Sequence, residues 1–302
     1  MRGVGHRRGY CAGRVDVTDL ENNLKRRLNP AEHDHMRIAR VYPRRTRATP
    51  VDSLAFTDGP GLFPPEVDEV HVSVTFTYDL PRAEHLARQW ESVAPVKIGG
   101  PGTGMRGGDF TPGMYLRPGY VITSRGCPNR CWFCSVPKRD GDIRELPITE
   151  GRNVLDDNLL ACSDRHIESV LLMLKEQKRA AEFTGGIEAA RLTKDLAEAI
   201  RSTRPKQLFL AYDTADDWPP LQTAAANLWA AGFTKESHAV RCYVLCGYPK
   251  DRFLFAEDRM YRVLDLGLMP MAMLWRDESG KIDPLWRTFQ RIWARPQIVG
   301  VA

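Results

Sequence analysis

The chain has 302 residues, 43% hydrophobic and 27% charged, with a formal net charge of +5; this is enough to bury a substantial core and unlike a disordered or fibrous composition. No apolar run approaches the roughly 18 residues that span a bilayer, and the opening MRGVGHRRGY has no hydrophobic segment of signal-peptide type, so no membrane association and a cytoplasmic location are expected. Seven cysteines, at 11, 127, 131, 134, 162, 242 and 246, form an odd set whose one tight cluster has ligand spacing, which argues for metal in a reducing compartment rather than a disulfide framework.

Before Thr49 twelve lysines and arginines stand against five acids. Residues 1–35 therefore read as a basic N-terminal arm that can follow nucleic-acid phosphates, with a merely solvated tail as the alternative. Within it Val17, Leu20, Leu24 and Leu28 fall at helical spacing. Thr18 and Glu21 can form a capping box there, and Asn29-Pro30 stops the helix.

Residues 36–114 read as a truncated α/β module with a Gly-rich linker. A strand is expected from Met36 to Tyr42, and the prolines and glycines from Pro43 to Pro65 then mark a long irregular connection. Val70, Val72, Val74 and Phe76 alternate with polar residues, as a strand with one covered face requires. Pro81 opens a helix carrying Leu86 and Trp90, and Pro95 to Ile98 supplies a further strand. Gly102 to Gly107 matches the dinucleotide fingerprint letter for letter. Gly108, Asp109 and Pro112-Gly113 cannot open the helix that would hold a pyrophosphate, so a linker is expected there.

Residues 115–280 hold six β-prone runs: Tyr120 to Thr123, Asn153 to Leu155, Ala181 to Thr184, Gln207 to Tyr212, Val240 to Cys246 and Met271 to Trp275. Helices are expected between them at Asp164 to Arg179, Thr193 to Arg201, Pro219 to Ala231 and Leu254 to Leu266, the last two closed by Gly232 and Gly267. Six βα units predict a parallel sheet and an incomplete (β/α)6 TIM-like barrel. Residues 281–302 form a C-terminal helix and tail, the helix started by Asp283-Pro284 and carrying an aromatic stripe that reads as packing.

The chemistry concentrates in Gly119 to Pro137, where a strand leads into Cys127-x3-Cys131-x2-Cys134. Three thiolates can hold three irons of a cubane and leave the fourth iron without a protein ligand. Structural zinc usually takes four protein ligands, often as two separated C-x2-C pairs, and no second pair is present. Cys242 and Cys246 lie four apart on one strand, roughly 13 Å at 3.3 Å per residue, and read as small core residues, with Cys246 as an alternative thiol partner to a radical.

The segment Cys127-x3-Cys131-Trp132-Phe133-Cys134 after a first strand resembles the signature of the radical S-adenosylmethionine (SAM) superfamily, and Gly119 to Trp275 resembles its common core. The resemblance implies an oxygen-sensitive [4Fe-4S] cluster on Cys127, Cys131 and Cys134. SAM would bind the open iron and be cleaved reductively to a 5′-deoxyadenosyl radical that abstracts a substrate hydrogen. It also implies SAM contacts: Phe133 beside the adenine, and Asp156, Asp157 and Asn158 at the end of strand two, where cobalamin-dependent members and tRNA methylthiotransferases carry a double-Asp motif. Asp213 after strand four would meet the ribose and Gly247 after strand five the adenine. Gly185, Gly186 and Glu188 after strand three would line the SAM or substrate site. For Asp156 to Asn158 a helix cap and turn is the alternative, and for Gly185 to Glu188 a plain βα turn. A flavodoxin or ferredoxin donor is implied. The absence of a D-x-H-x2-G sequence argues against cobalamin, although the α/β module stands where cobalamin-binding domains precede some members. The substrate stays open among a nucleic acid or nucleotide, a small metabolite, or none, the last being a non-catalytic iron-sulfur electron carrier.

Overall fold

The computed structural model describes residues 36–277 and 280–294. The expected helix from Val17 to Leu28, the basic arm and Cys11 lie outside the described residues. Four strands, β1 (Ile38–Val41), β2 (Ala55–Phe56), β3 (Glu69–Ser73) and β4 (Val96–Gly99), pair in the order β2-β1-β3-β4, every pair parallel. Helix α1 (Leu80–Trp90) follows β3 with Pro81 in its first turn and buries Ala83, Leu86, Ala87 and Trp90. These pack on Val70, Val72 and Val74, whose polar alternates lie on the other face.

β2 falls inside the stretch expected to be wholly irregular. It is two residues long and has no alternation to betray it, and it pairs with β1 through Arg40↔Ala55 and Val41↔Phe56. The Gly102 region forms a single tight turn, Pro101–Thr103, with no helix behind it, as the linker reading expects.

The second sheet begins with β5 (Tyr120–Val121). A small antiparallel pair, β6 (Ser124–Arg125) with β7 (Arg144–Glu145), follows and encloses the four-residue helix α2 (Val136–Arg139). The sheet continues with β8 (Asn153–Val154), β9 (Glu182–Phe183), β10 (Gln207–Tyr212), β11 (Val240–Cys246) and β12 (Met269–Leu274). The order β12-β11-β10-β9-β8-β5 is sequential and parallel throughout, so each connection is a crossover and none reverses the winding. Helices α3 (Asp164–Glu176), α4 (Lys194–Ser202), α5 (Trp218–Ala230) and α6 (Phe253–Asp265) form the last four of these crossovers, and the segment with β6, α2 and β7 forms the first. Ser163 and Thr193 cap α3 and α4 through their side-chain oxygens. Gly232 and Gly267 end α5 and α6 at φ of +88° and +83°, where only glycine sits without strain. Helix α7 (Pro284–Trp293), capped by Asp283, lies on the edge strand β12, with Gln290 Nε2 donating to Ala272 O at 3.3 Å.

Side chains alternate across these strands. Leu208, Leu210, Tyr212, Val240, Cys242, Val244 and Cys246 all enter one core with the apolar sides of the crossover helices. Cys242 and Cys246 are therefore small helix-side core residues, fully buried. The opposite face carries Phe209, Ala211, Arg241, Tyr243, Leu245, Met271 and Met273.

The first sheet depends most on Trp90, which is fully buried, stacks at a tilt 4.9 Å from Phe56 and donates from Nε1 to Asp58 O at 3.0 Å. Trp90→Ala is expected to cost about 3–5 kcal/mol in urea-induced unfolding of the module; a loss below about 1 kcal/mol would show that this core does not rest on the indole.

Candidate functional site

The loop after β5 carries Cys127, Cys131 and Cys134. Its own ladder is slight, so neighbouring strands hold it. Asp156, just past β8, is 1% exposed. Its Oδ1 accepts from Thr123 N at 2.6 Å, and its Oδ2 accepts from Thr123 Oγ1 at 2.5 Å and Ser124 Oγ at 2.8 Å. Burial raises its pKa, and the donors on Thr123 and Ser124 pull it back. Asp157 accepts from Gly126 N at 2.9 Å, the residue directly before the first cysteine, and from Arg139 Nη2 at 3.4 Å. Gly126 stands at φ +86°, and a methyl group there would run into the carbonyl oxygens of Gly141 and Asp142. Cys127 N donates to Gly141 O at 3.0 Å and Cys134 N to Cys131 O at 3.1 Å.

Asn158 ties three segments together. Its Nδ2 donates to Cys127 Sγ at 3.3 Å and to Glu188 Oε2 at 2.6 Å. Glu188 also accepts from Arg191 Nε at 2.8 Å. Gly185 lies against the end of β8 so closely that a methyl group would meet Leu155 C at 2.7 Å, and Gly186, at φ +100°, faces open space. The ends of β8 and β9 and the first cysteine thus share one corner.

The far side of the loop reaches β11. Trp132 meets Phe133 edge-on at 5.3 Å and Tyr248 at 5.8 Å. Tyr248 lies under the guanidinium of Arg259 at 5.4 Å. Arg259 Nη2 donates to Leu245 O at 3.0 Å and Asp251 Oδ2 at 2.9 Å, and the same Asp251 oxygen accepts from Gly247 N at 2.9 Å. Gly247 itself faces Leu274 of β12 and Trp286 of α7, and through Asp251 the turn it opens is tied to Arg259 of α6. Tyr248, Asp251 and Arg259 were not legible as site residues, because a buried arginine on a helix looks in sequence like a surface charge.

Electrostatically the thiols are neighbours. Burial holds Cys131 and Cys134 above the ordinary thiol range; Cys131 is raised further by Cys134 and Cys127, and Cys134 by Cys127. Asp213 and Asp217, after β10, add to the load on Cys131. Asp213 is pushed up to about 7 by burial and by Asp217, against the backbone N–H of Leu245 and the charge of Arg259.

Among the described residues no three His, Cys, Asp or Glu side chains converge on a common point at metal-ligand distance. The donor chemistry nonetheless suits an iron-sulfur cluster: three thiols on one loop, each within the field of another. Asn158 Oδ1 and Asp213 Oδ1 are buried acceptors without a donor, as a ligand bearing N–H or O–H groups would require. Asp156 differs from them, its carboxylate being taken up by Thr123 and Ser124. No protein-family model matches the chain, and no curated protein is significantly similar in sequence. No helix among the described residues is long and apolar enough to cross a membrane.

Two outcomes test this arrangement. Gly126→Ala introduces both the strained φ and the backbone clash, a cost of about 1–3 kcal/mol, and is expected to lower iron bound per chain after anaerobic reconstitution while circular dichroism stays unchanged; full iron loading would show the turn is dispensable. Asp213 has a folded pKa above its unfolded one, so the metal-free chain loses stability as pH rises from about 4 to 7, by at most about 1.4 kcal/mol per unit. Asp213→Asn mimics the neutral acid and should be the more stable protein at pH 8 but not at pH 4; equal denaturant midpoints at both pH values would contradict it.

Proposed function

We propose that the chain is a radical SAM enzyme: its sequential parallel sheet is an incomplete (β/α)6 barrel, and Cys127, Cys131 and Cys134 hold a [4Fe-4S] cluster with one iron left for SAM. The observation that carries this reading is the C-x3-C-x2-C loop at the C-terminal edge of a sequentially wound parallel sheet, flanked by buried acceptors that lack donors. The C-terminal edge is where parallel α/β sheets carry their sites. When bound, the cluster supplies one electron for cleavage of the SAM sulfonium, the source of a hydrogen-abstracting radical.

The chain's own residues bind and exclude. Asn158 keeps Cys127 in place through Nδ2 and offers Oδ1 to the SAM amino group. Asp213 offers Oδ1 to a ribose hydroxyl, and Phe133 with Trp132 and Tyr248 walls the adenine side from water. Asp156 and Asp157 act as positioning residues that hold the loop. The electron comes from a low-potential flavodoxin or ferredoxin, and the compartment is the cytoplasm.

A second reading, an iron-sulfur electron carrier, draws support from the exposure of Cys131 and Trp132, where a redox partner could approach. Anaerobically reconstituted protein given SAM and dithionite is expected to form 5′-deoxyadenosine, and Cys131→Ala to abolish it. A cluster that reduces without consuming SAM, or a preparation holding zinc instead, would leave the enzymatic reading without support.

A further inference from the structure

In the first sheet the crossover from β2 to β3 carries no helix. Parallel strands are usually joined through one, yet residues 57–68 run beside α1 as an irregular loop. The start of this loop is fixed to α1. Arg82 Nη2 donates to Thr57 O at 3.2 Å and Trp90 Nε1 to Asp58 O at 3.0 Å, and a methyl group on Gly59 would run into Gln89 Oε1. Its end is fixed to β1, because Arg37 N donates to Asp68 Oδ2 at 2.7 Å and Asp68 N to Arg37 O at 2.8 Å. Between these anchors stand Leu62 and Phe63, framed by Pro60, Pro64 and Pro65, and each is 94% exposed. Single exposed apolar residues are ordinary. Two adjacent ones, almost wholly bare on a loop held at both ends, mark a surface that another element covers.

The chain itself supplies that element. Residues 1–35 join the described chain just ahead of Arg37, whose backbone is bonded to Asp68. The stretch from Phe63 to Asp68 spans at most about 18 Å, and the stretch from Leu28 to Arg37 reaches up to about 30 Å when extended. The segment from Val17 to Leu28 is therefore within range of the exposed pair. Val17, Leu20, Leu24 and Leu28 form the apolar stripe of the helix expected there, and a helix of this length is marginal in water unless its stripe is covered. Lys25, Arg26 and Arg27 stand in its last turn, the end nearest the tether. Glu66, exposed at the end of the loop nearest Asp68, has no ion-pair partner among the described residues. A tethered segment acts at an effective concentration near millimolar, far above that of a second copy in dilute solution.

We infer that the segment from Val17 to Leu28 docks as a helix on Leu62 and Phe63, its apolar stripe closing over the two side chains and its basic last turn meeting Glu66. The docked helix takes the place of the one that the β2 to β3 crossover lacks, beside α1. Its docking is independent of the cluster chemistry. It also sets where the basic arm begins, since Arg2, Arg7, Arg8 and Arg14 all lie ahead of the docked segment.

The test is amide hydrogen exchange, read by mass spectrometry on the full chain at two protein concentrations far apart. In the wild type the amides of residues 17–28 are expected to exchange at least about tenfold more slowly than in an unfolded chain, and equally at both concentrations. Leu62→Ser combined with Phe63→Ser should bring them within about twofold of the unfolded rate, while the amides of β1, β3 and α1 keep their wild-type protection. Leu62→Met combined with Phe63→Leu should leave residues 17–28 protected. Leu24→Asp reaches the same contact from the segment's side and should give the same loss, so the inference stays open to refutation even where the loop variant fails to fold. Exchange of residues 17–28 at the unfolded rate in folded wild type overturns the inference. Protection indifferent to Leu62 and Phe63 overturns it as well, because the segment then sits elsewhere. Protection that disappears on dilution assigns the exposed pair to a second copy and overturns it too.

Discussion

The site depends on two carboxylates that hold a loop unable to hold itself. Thiols gathered on one segment repel as they ionise, and between β5 and β8 the chain has only a two-residue antiparallel pair and one short helix to resist that. Asp156 and Asp157 supply the resistance from the next strand, by gripping Thr123, Ser124 and Gly126. A buried carboxylate is costly unless donors surround it, and Asp156 has three donors from residues immediately ahead of the cysteines. The pair of aspartates thus works on the loop through its backbone and hydroxyls, and Asn158 alone of the three consecutive polar residues touches a cysteine sulfur.

The long strands were legible because their apolar runs are long. Gln207–Tyr212 and Val240–Cys246 match the expected ends to the residue, since both faces of each are largely apolar over six or seven positions. β5, β8 and β9 keep only two residues each, shorter than their apolar runs suggest. The ladder ends where Thr123, Asp156 and Thr184 turn to side-chain bonds. The pair β6 with β7 was invisible, because Ser124-Arg125 and Arg144-Glu145 carry no apolar period and pair only through contacts across the loop. For the site, cysteine spacing could be read from sequence. The Asn158–Glu188 bond and the Trp132–Tyr248–Arg259 chain could not, because each joins residues at least 11 positions apart that carry no local pattern.

Charge is distributed unevenly around the loop. On the β8 side Arg139 is shared between Asp140 at 2.6 Å and Asp157 at 3.4 Å. On the β10 side Asp213 has Asp217 behind it, and Asp217 is itself engaged as a cap, accepting from the backbone N–H groups of Asp213 and Thr214. Arg259 is the nearest compensating cation, but its Nη2 is already committed to Asp251 and Leu245. Asp213, one of the two acids acting on the exposed thiol, is therefore held protonated to higher pH than an ordinary carboxylate. A neutral Asp213 can donate as well as accept a hydrogen bond, which widens the ligand groups that this edge can meet.

That the crossover helices lie on one face of the second sheet follows from its winding. A parallel sheet that reverses its strand order receives helices on both sides and is sealed on both. This one never reverses, so its crossovers gather on one side and the other must close on itself, on another element, or on a ligand. Phe209 on that face is 3% exposed, with the Tyr243 ring stacked 4.3 Å away and the Arg241 guanidinium 5.9 Å from its centroid. Leu245, on the same face between Tyr243 and the turn at Gly247, is 4% exposed, so β11 is covered on both sides where it nears the cysteine loop.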